Sequence, residues 1–174
     1  YLSTAYGHPG LGQSTGYDYT RTANPTRDIL QEGLAVLENG VQGFATSSGM
    51  SAIQLAFSIF PANSHFVASR DLYGGSFRYF QDMEKKGFYS FTYVDDPIDI
   101  TSAIQDNTAA VYIETPTNPL MKETDIAAVA EIAKKHGLLV IVDNTFYTPL
   151  LQRPLDLGAD IVVHSATKYL GGHN

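Results

Sequence analysis

The chain has 174 residues, 44% hydrophobic and 17% charged, with a net charge of −7, enough for one soluble globular domain with a substantial core. That acidic balance gives a nucleic-acid partner no electrostatic support, and the adjacent basic pairs Lys85-Lys86 and Lys134-Lys135 read as solvated helix faces. Cysteine is absent, which excludes disulfides, thiolate catalysis and cysteine-ligated metals and fits a cytoplasmic protein.

No run approaches the roughly 18 apolar residues of a membrane span. Tyr1 to His8 hold neither a basic region nor an apolar stretch, so no signal peptide is expected. The missing initiating Met and the stop at Asn174, just past Gly171-Gly172, predict a chain cut at both ends.

Residues 1–26 hold Gly7, Gly10, Gly12, Gly16, Pro9 and Pro25 without sustained periodicity and are expected to form an extended N-terminal arm. Thr26 is placed to cap a helix from about Arg27 to Glu38, in which Ile29, Leu30, Leu34 and Leu37 have helical spacing and which Gly40 ends. A short strand is expected near Gly43–Thr46, then a helix opened by Ser48-Gly49 and carrying Ile53, Leu55, Ala56 and Phe60. Strand His65–Ser69, helix Ser76 to about Lys86 and strand Tyr89–Val94 follow. Next come a short helix from Pro97 to Ile104, strand Ala109–Ile113, helix Asp125–His136, and strands Leu138–Val142 and Ile161–His164. Strands alternating with helices predict an α/β fold, a mostly parallel sheet covered on both faces to make three layers. The domain is expected over 27–174.

In such sheets ligands collect beyond the carboxyl ends of the strands. Four unusual segments map there: Thr46-Ser-Ser-Gly-Met50, Asp71-Leu-Tyr-Gly-Gly75, Asp143-Asn-Thr-Phe146 and Ser165-Ala-Thr-Lys168. Ser48-Gly49-Met50 is an ordinary helix cap, or an anion site where Gly49 lets a phosphate approach free N–H groups. Lys168 is a surface lysine, or a desolvated amine beside Ser165 and Thr167. Asp143 caps a turn, or pairs with a ring nitrogen; Tyr73 packs in a turn, or stacks on a flat ring. Arg21 in the arm, near Tyr19, has the forked donors that suit phosphate and could complete a neighbour's site. Taken together these residues fit one cofactor, pyridoxal phosphate: an amine for its aldehyde, hydroxyls for its phosphate, a carboxylate for its pyridinium nitrogen.

Six stretches carry a family resemblance: Tyr19-Thr-Arg-Thr-Ala-Asn-Pro-Thr26, Ser47-Ser-Gly-Met50, Tyr73-Gly-Gly-Ser-Phe-Arg-Tyr79, Glu114-Thr-Pro-Thr-Asn-Pro119, Val142-Asp-Asn-Thr-Phe146 and Ser165-Ala-Thr-Lys-Tyr-Leu-Gly-Gly172. In order, across essentially the whole chain, they resemble the Cys/Met-metabolism PLP enzymes, the cystathionine γ-synthases, β-lyases, γ-lyases and thiolyases. The resemblance implies an aspartate-aminotransferase-like large domain, truncated before a C-terminal domain. It implies Lys168 as the cofactor-bearing lysine and Asp143 as the ring-nitrogen partner. Ser48, Gly49, Met50, Ser165 and Thr167 would hold the phosphate, Tyr73 would cover the ring and assist proton movement, and Asn118 would lie beside the ring hydroxyl. Tyr19 and Arg21 would reach the phosphate of an adjacent subunit in a homotetramer, and Arg78 would stand near the substrate entrance.

The implied reaction starts with an amino acid, namely an acylhomoserine, cysteine or cystathionine. Lys168 would remove its α-proton and a β or γ substituent would leave. The opening segment looks most like γ-synthase and acylhomoserine-thiolyase members, and Gly75 stands where methionine γ-lyases usually carry Cys. Two rival readings are a non-catalytic PLP-binding fragment and an unrelated α/β binding domain whose Lys168 is merely superficial.

Overall fold

The computed structural model describes residues 1–173 and divides into two compact units, Tyr1–Ala45 and the part from Thr46 on. In the first, no helix or strand precedes Asn24, and the arm doubles back on itself. An isolated antiparallel bridge joins Ala5 to Tyr19, and Thr20 N donates to Thr4 O at 2.9 Å. Helix α1 spans Pro25–Leu37. Asn24, not the expected Thr26, caps it: its side-chain oxygen accepts from Thr26 N and Arg27 N, while Pro25 supplies the φ of the first turn.

The strand expected near Gly43–Thr46 does not form. The backbone at Gly43 passes so close to α1 that a Cβ there would overlap the Gln31 carbonyl oxygen. Ala45 N donates to Gln31 Oε1 at 3.0 Å, so the segment pairs with a helix side chain instead of a sheet neighbour.

The second unit runs α2 (Gly49–Phe57), β1 (Ser64–Ser69), α3 (Gly74–Lys85), β2 (Tyr89–Val94), a 3-10 segment Pro97–Ala103, β3 (Thr108–Glu114), α4 (Ile126–Lys135) and β4 (Leu139–Asp143). A short α5 (Thr148–Leu151), a 3-10 turn Pro154–Leu157 and β5 (Ile161–Val163) follow. Neither α5 nor that turn is visible as periodicity, because four residues span barely one helical turn. Helix α3 starts two residues before the expected Ser76, with Tyr73 at its N-cap position.

The sheet is parallel throughout, in the order β2-β1-β3-β4-β5. Strand side chains alternate between two cores, which makes the three layers. Val67, Val111, Ile113, Val140 and Val142 pack with Ile126, Val129 and Ala133 of α4. Phe66, Ala68, Tyr112 and Ile141 pack on the other face with Ile53 and Phe57 of α2 and Phe80 of α3. Burial on both faces is why a stretch such as Leu138–Val142 reads as an unbroken apolar run.

Candidate active site

Because the strands are parallel, β3, β4 and β5 end along one edge, with Glu114 registered on Asp143 and Asp143 on Val163. Beyond that edge lies a cavity of about 230 Å³. Ser48, Gly49, Met50, Tyr73, Asn118, Asp143, Ser165, Thr167 and Lys168 all line it, joined by Ile53, Glu114, Pro116, Thr145, Phe146, Val163 and His164. Residues 120 positions apart in sequence thus converge on one space.

One corner is built for an anion. Ser48 caps α2, its Oγ accepting from Ser51 N at 3.1 Å. The first N–H groups of a helix have no intrahelical acceptor, and the helix dipole adds positive potential there. A Cβ at Gly49 would lie 2.7 Å from Ser165 Cβ and 3.0 Å from its Cα, so only glycine lets the helix start meet the loop after β5. In that loop the Ser165 and Thr167 hydroxyls lie 2.9 Å apart.

A buried carboxylate lines the same cavity. Asp143 is 8% exposed. Its Oδ1 accepts from Thr145 N at 3.0 Å and from Thr145 Oγ1 at 2.5 Å, and the Tyr112 hydroxyl approaches Oδ2 at 3.4 Å. Burial pushes the Asp143 carboxyl up, against the Thr145 hydrogen bonds and the nearby His164, which favour its ionised form. Thr145 Oγ1 in turn accepts from Ser165 N at 2.8 Å, so one side chain ties the carboxylate to the anion corner.

Tyr73 closes the space from the start of α3. A Cβ at Gly75 would overlap its ring and sit 3.1 Å from Met50 Sδ, so the glycine leaves room for the tyrosine. Below it, Glu114 is 5% exposed. Its Oε2 accepts from Tyr73 N at 2.7 Å and its Oε1 from Asn118 N at 3.0 Å. Burial pushes the Glu114 carboxyl up to about 8; the Tyr73 N–H opposes this and the neighbouring Asp143 adds to it.

Four residues differ from expectation or stand apart. Lys168 lines the cavity yet is exposed, not desolvated. A turn after β5, with Gly172 N donating to Lys168 O at 2.9 Å, carries it past the strand end to the mouth. Arg78 is exposed on α3 and is not among the lining residues. Tyr19 and Arg21 belong to the first unit, where Arg21 Nη2 donates to the Tyr19 hydroxyl at 3.0 Å and the guanidinium lies 5.2 Å from the ring centroid.

Glu114, Thr145 and Phe146 lie in stretches that the sequence marks out but carry no individual role there, and His164 appears only as a strand end. Thr145 had a signal, since a hydroxyl two residues after an aspartate is the spacing of a local side-chain turn. Glu114 had a fainter one, an acid closing an apolar strand.

The Cys/Met metabolism PLP-dependent enzyme profile matches residues 1–174. The chain belongs to this family. Over 100% of its length it is 59% identical to a cystathionine gamma-synthase/O-acetylhomoserine (thiol)-lyase of Bacillus subtilis, and 55% identical to a cystathionine gamma-synthase of Haemophilus influenzae. It covers 47% and 48% of those proteins, about half the length of the curated relatives it matches. The structure superposes with a TM-score of 0.92 on a cystathionine gamma-lyase from Lactobacillus plantarum solved with L-serine, at 48% identity, over 99% of this chain and 46% of that one.

Pyridoxal phosphate is the cofactor of this family. The cavity's donor set suits it: hydroxyls and helix N–H groups at one corner, a buried carboxylate with one lightly engaged oxygen, an exposed amine and an aromatic ring. Among the described residues no group of three or more His, Asp or Glu is placed to hold a metal, and no helix is long and apolar enough to cross a membrane.

Proposed function

We propose that the full-length protein is a PLP-dependent enzyme of sulfur amino-acid metabolism, of the cystathionine γ-synthase and O-acylhomoserine thiolyase type. The observation that carries this reading is the convergence of Lys168, Asp143, Tyr73 and the Ser48-Gly49 helix start on one cavity. The γ-synthase names of the relatives at 59% and 55% identity support the choice of branch. A β- or γ-lyase is the second reading, favoured by the likeness to the Lactobacillus plantarum γ-lyase.

In this reading residues 1–26 serve as an arm and 27–174 as the cofactor-binding large domain. Bound PLP supplies an electron sink for charge that develops on the substrate α-carbon. Ser48, Gly49, Met50, Ser165 and Thr167 hold the phosphate, and Asn118 stands beside the ring hydroxyl. Asp143 keeps a proton on the ring nitrogen by offering it a buried negative charge. Lys168 would hold the cofactor at its aldehyde end, and its Nζ would be the base that takes the substrate α-proton. Tyr73 covers the ring and helps move protons, and Arg78 steers the substrate at the entrance. Tyr19 and Arg21, already paired, contact the phosphate of an adjacent subunit in a cytoplasmic homotetramer. The substrates are acylhomoserine and cysteine, or cystathionine in the lyase reading.

Borohydride reduction of PLP-saturated full-length protein, followed by peptide mapping, tests the core of this. The cofactor should be fixed on Lys168, and Lys168→Ala should lose the covalent colour. An unmodified Lys168 would sink the proposal. Cystathionine formation from an acylhomoserine and cysteine, measured against cystathionine cleavage, separates synthase from lyase. Protein that carries the cofactor but does neither would be a non-catalytic PLP-binding protein.

A further inference from the structure

Glu114 is absent from the set of groups that would touch the cofactor, yet it reaches two of them. It ends β3, lines the cavity and is 5% exposed. One oxygen takes the N–H of Tyr73, where α3 begins, and the other takes the N–H of Asn118, four residues further along its own chain. Those two segments come from different strand ends, and Tyr73 has no side-chain cap bond of its own. Two N–H donors per carboxyl also explain why an acid is tolerated at this depth, since a buried carboxyl without partners is strongly disfavoured.

We infer that Glu114 is a positioning residue: its single carboxyl sets Tyr73 and Asn118 relative to each other, and through them the orientation of the cofactor ring. This rests on the proposed function above. An amide in its place keeps the shape but presents an NH2 group to one of the two N–H donors, so one hydrogen bond is lost and the other remains.

The test uses PLP-loaded full-length protein and reads PLP affinity and the visible circular dichroism of bound PLP, which reports ring orientation. Glu114→Gln should weaken PLP binding by about tenfold and reduce the dichroism. A double-mutant cycle separates positioning from general structural support: in a Tyr73→Ala, Asn118→Ala background the same substitution should weaken binding by less than about threefold. Equal factors in both backgrounds, or unchanged affinity and dichroism in Glu114→Gln, would overturn the inference. If Glu114→Gln does not fold, Glu114→Asp enters the same cycle, because it keeps both carboxyl oxygens as acceptors and withdraws them by one methylene. Wild-type protein that binds no PLP would defeat the proposed function instead, so the two failures are told apart.

Discussion

At the scale of single residues, the site rests on two acids that the fold forces together. Glu114 and Asp143 are register partners on adjacent strands, and both are buried. Glu114 is pushed from 4.5 up to about 8, so between those values the folded chain holds a proton that the unfolded chain has released. Stability therefore falls as pH rises through this window and levels off above it. Asp143, also raised by burial, adds in the same direction. Glu114→Gln should flatten the decline, and urea denaturation of full-length protein without cofactor between pH 5 and 9 measures it. An identical slope in the two proteins would refute the assignment.

Asp143 was legible in the sequence because it ends an apolar run with hydroxyl chemistry close by. Glu114 left only the faint signal of an acid closing an apolar strand, because its partners are backbone N–H groups, which every residue but proline carries and which leave no trace in composition.

At the scale of elements, the start of α2 depends on a missing side chain. Gly49→Ala places a Cβ 2.7 Å from Ser165 Cβ, with the Ser165 backbone next in line, so the helix start or the loop must retreat. Affinity for inorganic phosphate and for PLP should drop by tenfold or more, with far-UV helicity nearly unchanged. Ser48→Ala, which removes only the cap, should instead lower stability by about 1 kcal/mol. The two outcomes separate a steric requirement from a capping one.

Most elements were readable in advance because strands buried on both faces cannot avoid continuous apolar sequence. The failures have tertiary or local causes. The segment at Gly43–Thr46 had strand-like composition but its backbone is claimed by Gln31. The cap of α1 fell to Asn24 because Pro25 begins the helix one residue before Thr26.

At the scale of the whole molecule, the cavity is bounded by the ends of β3, β4 and β5, and the sheet is held from one side by an aromatic core. Phe57 is fully buried, its ring 4.8 Å from Phe66 and 5.0 Å from Phe80 between centroids. Phe57→Ala should destabilise the protein by about 3–5 kcal/mol, read by chemical denaturation. A loss under about 1 kcal/mol would mean that this core collapses around the gap.

The convergence of residues 48 to 168 on one cavity also has a consequence for assembly. No short segment can make the site alone: the helix start, three strand ends and the lysine turn meet only when the sheet order β2-β1-β3-β4-β5 is complete. Cofactor capture is thereby linked to folding, and the colour of loaded protein counts folded molecules. Free PLP at about a hundred times its Kd would shift the balance toward them by about 2.7 kcal/mol, making vitamin supply a determinant of how much protein persists.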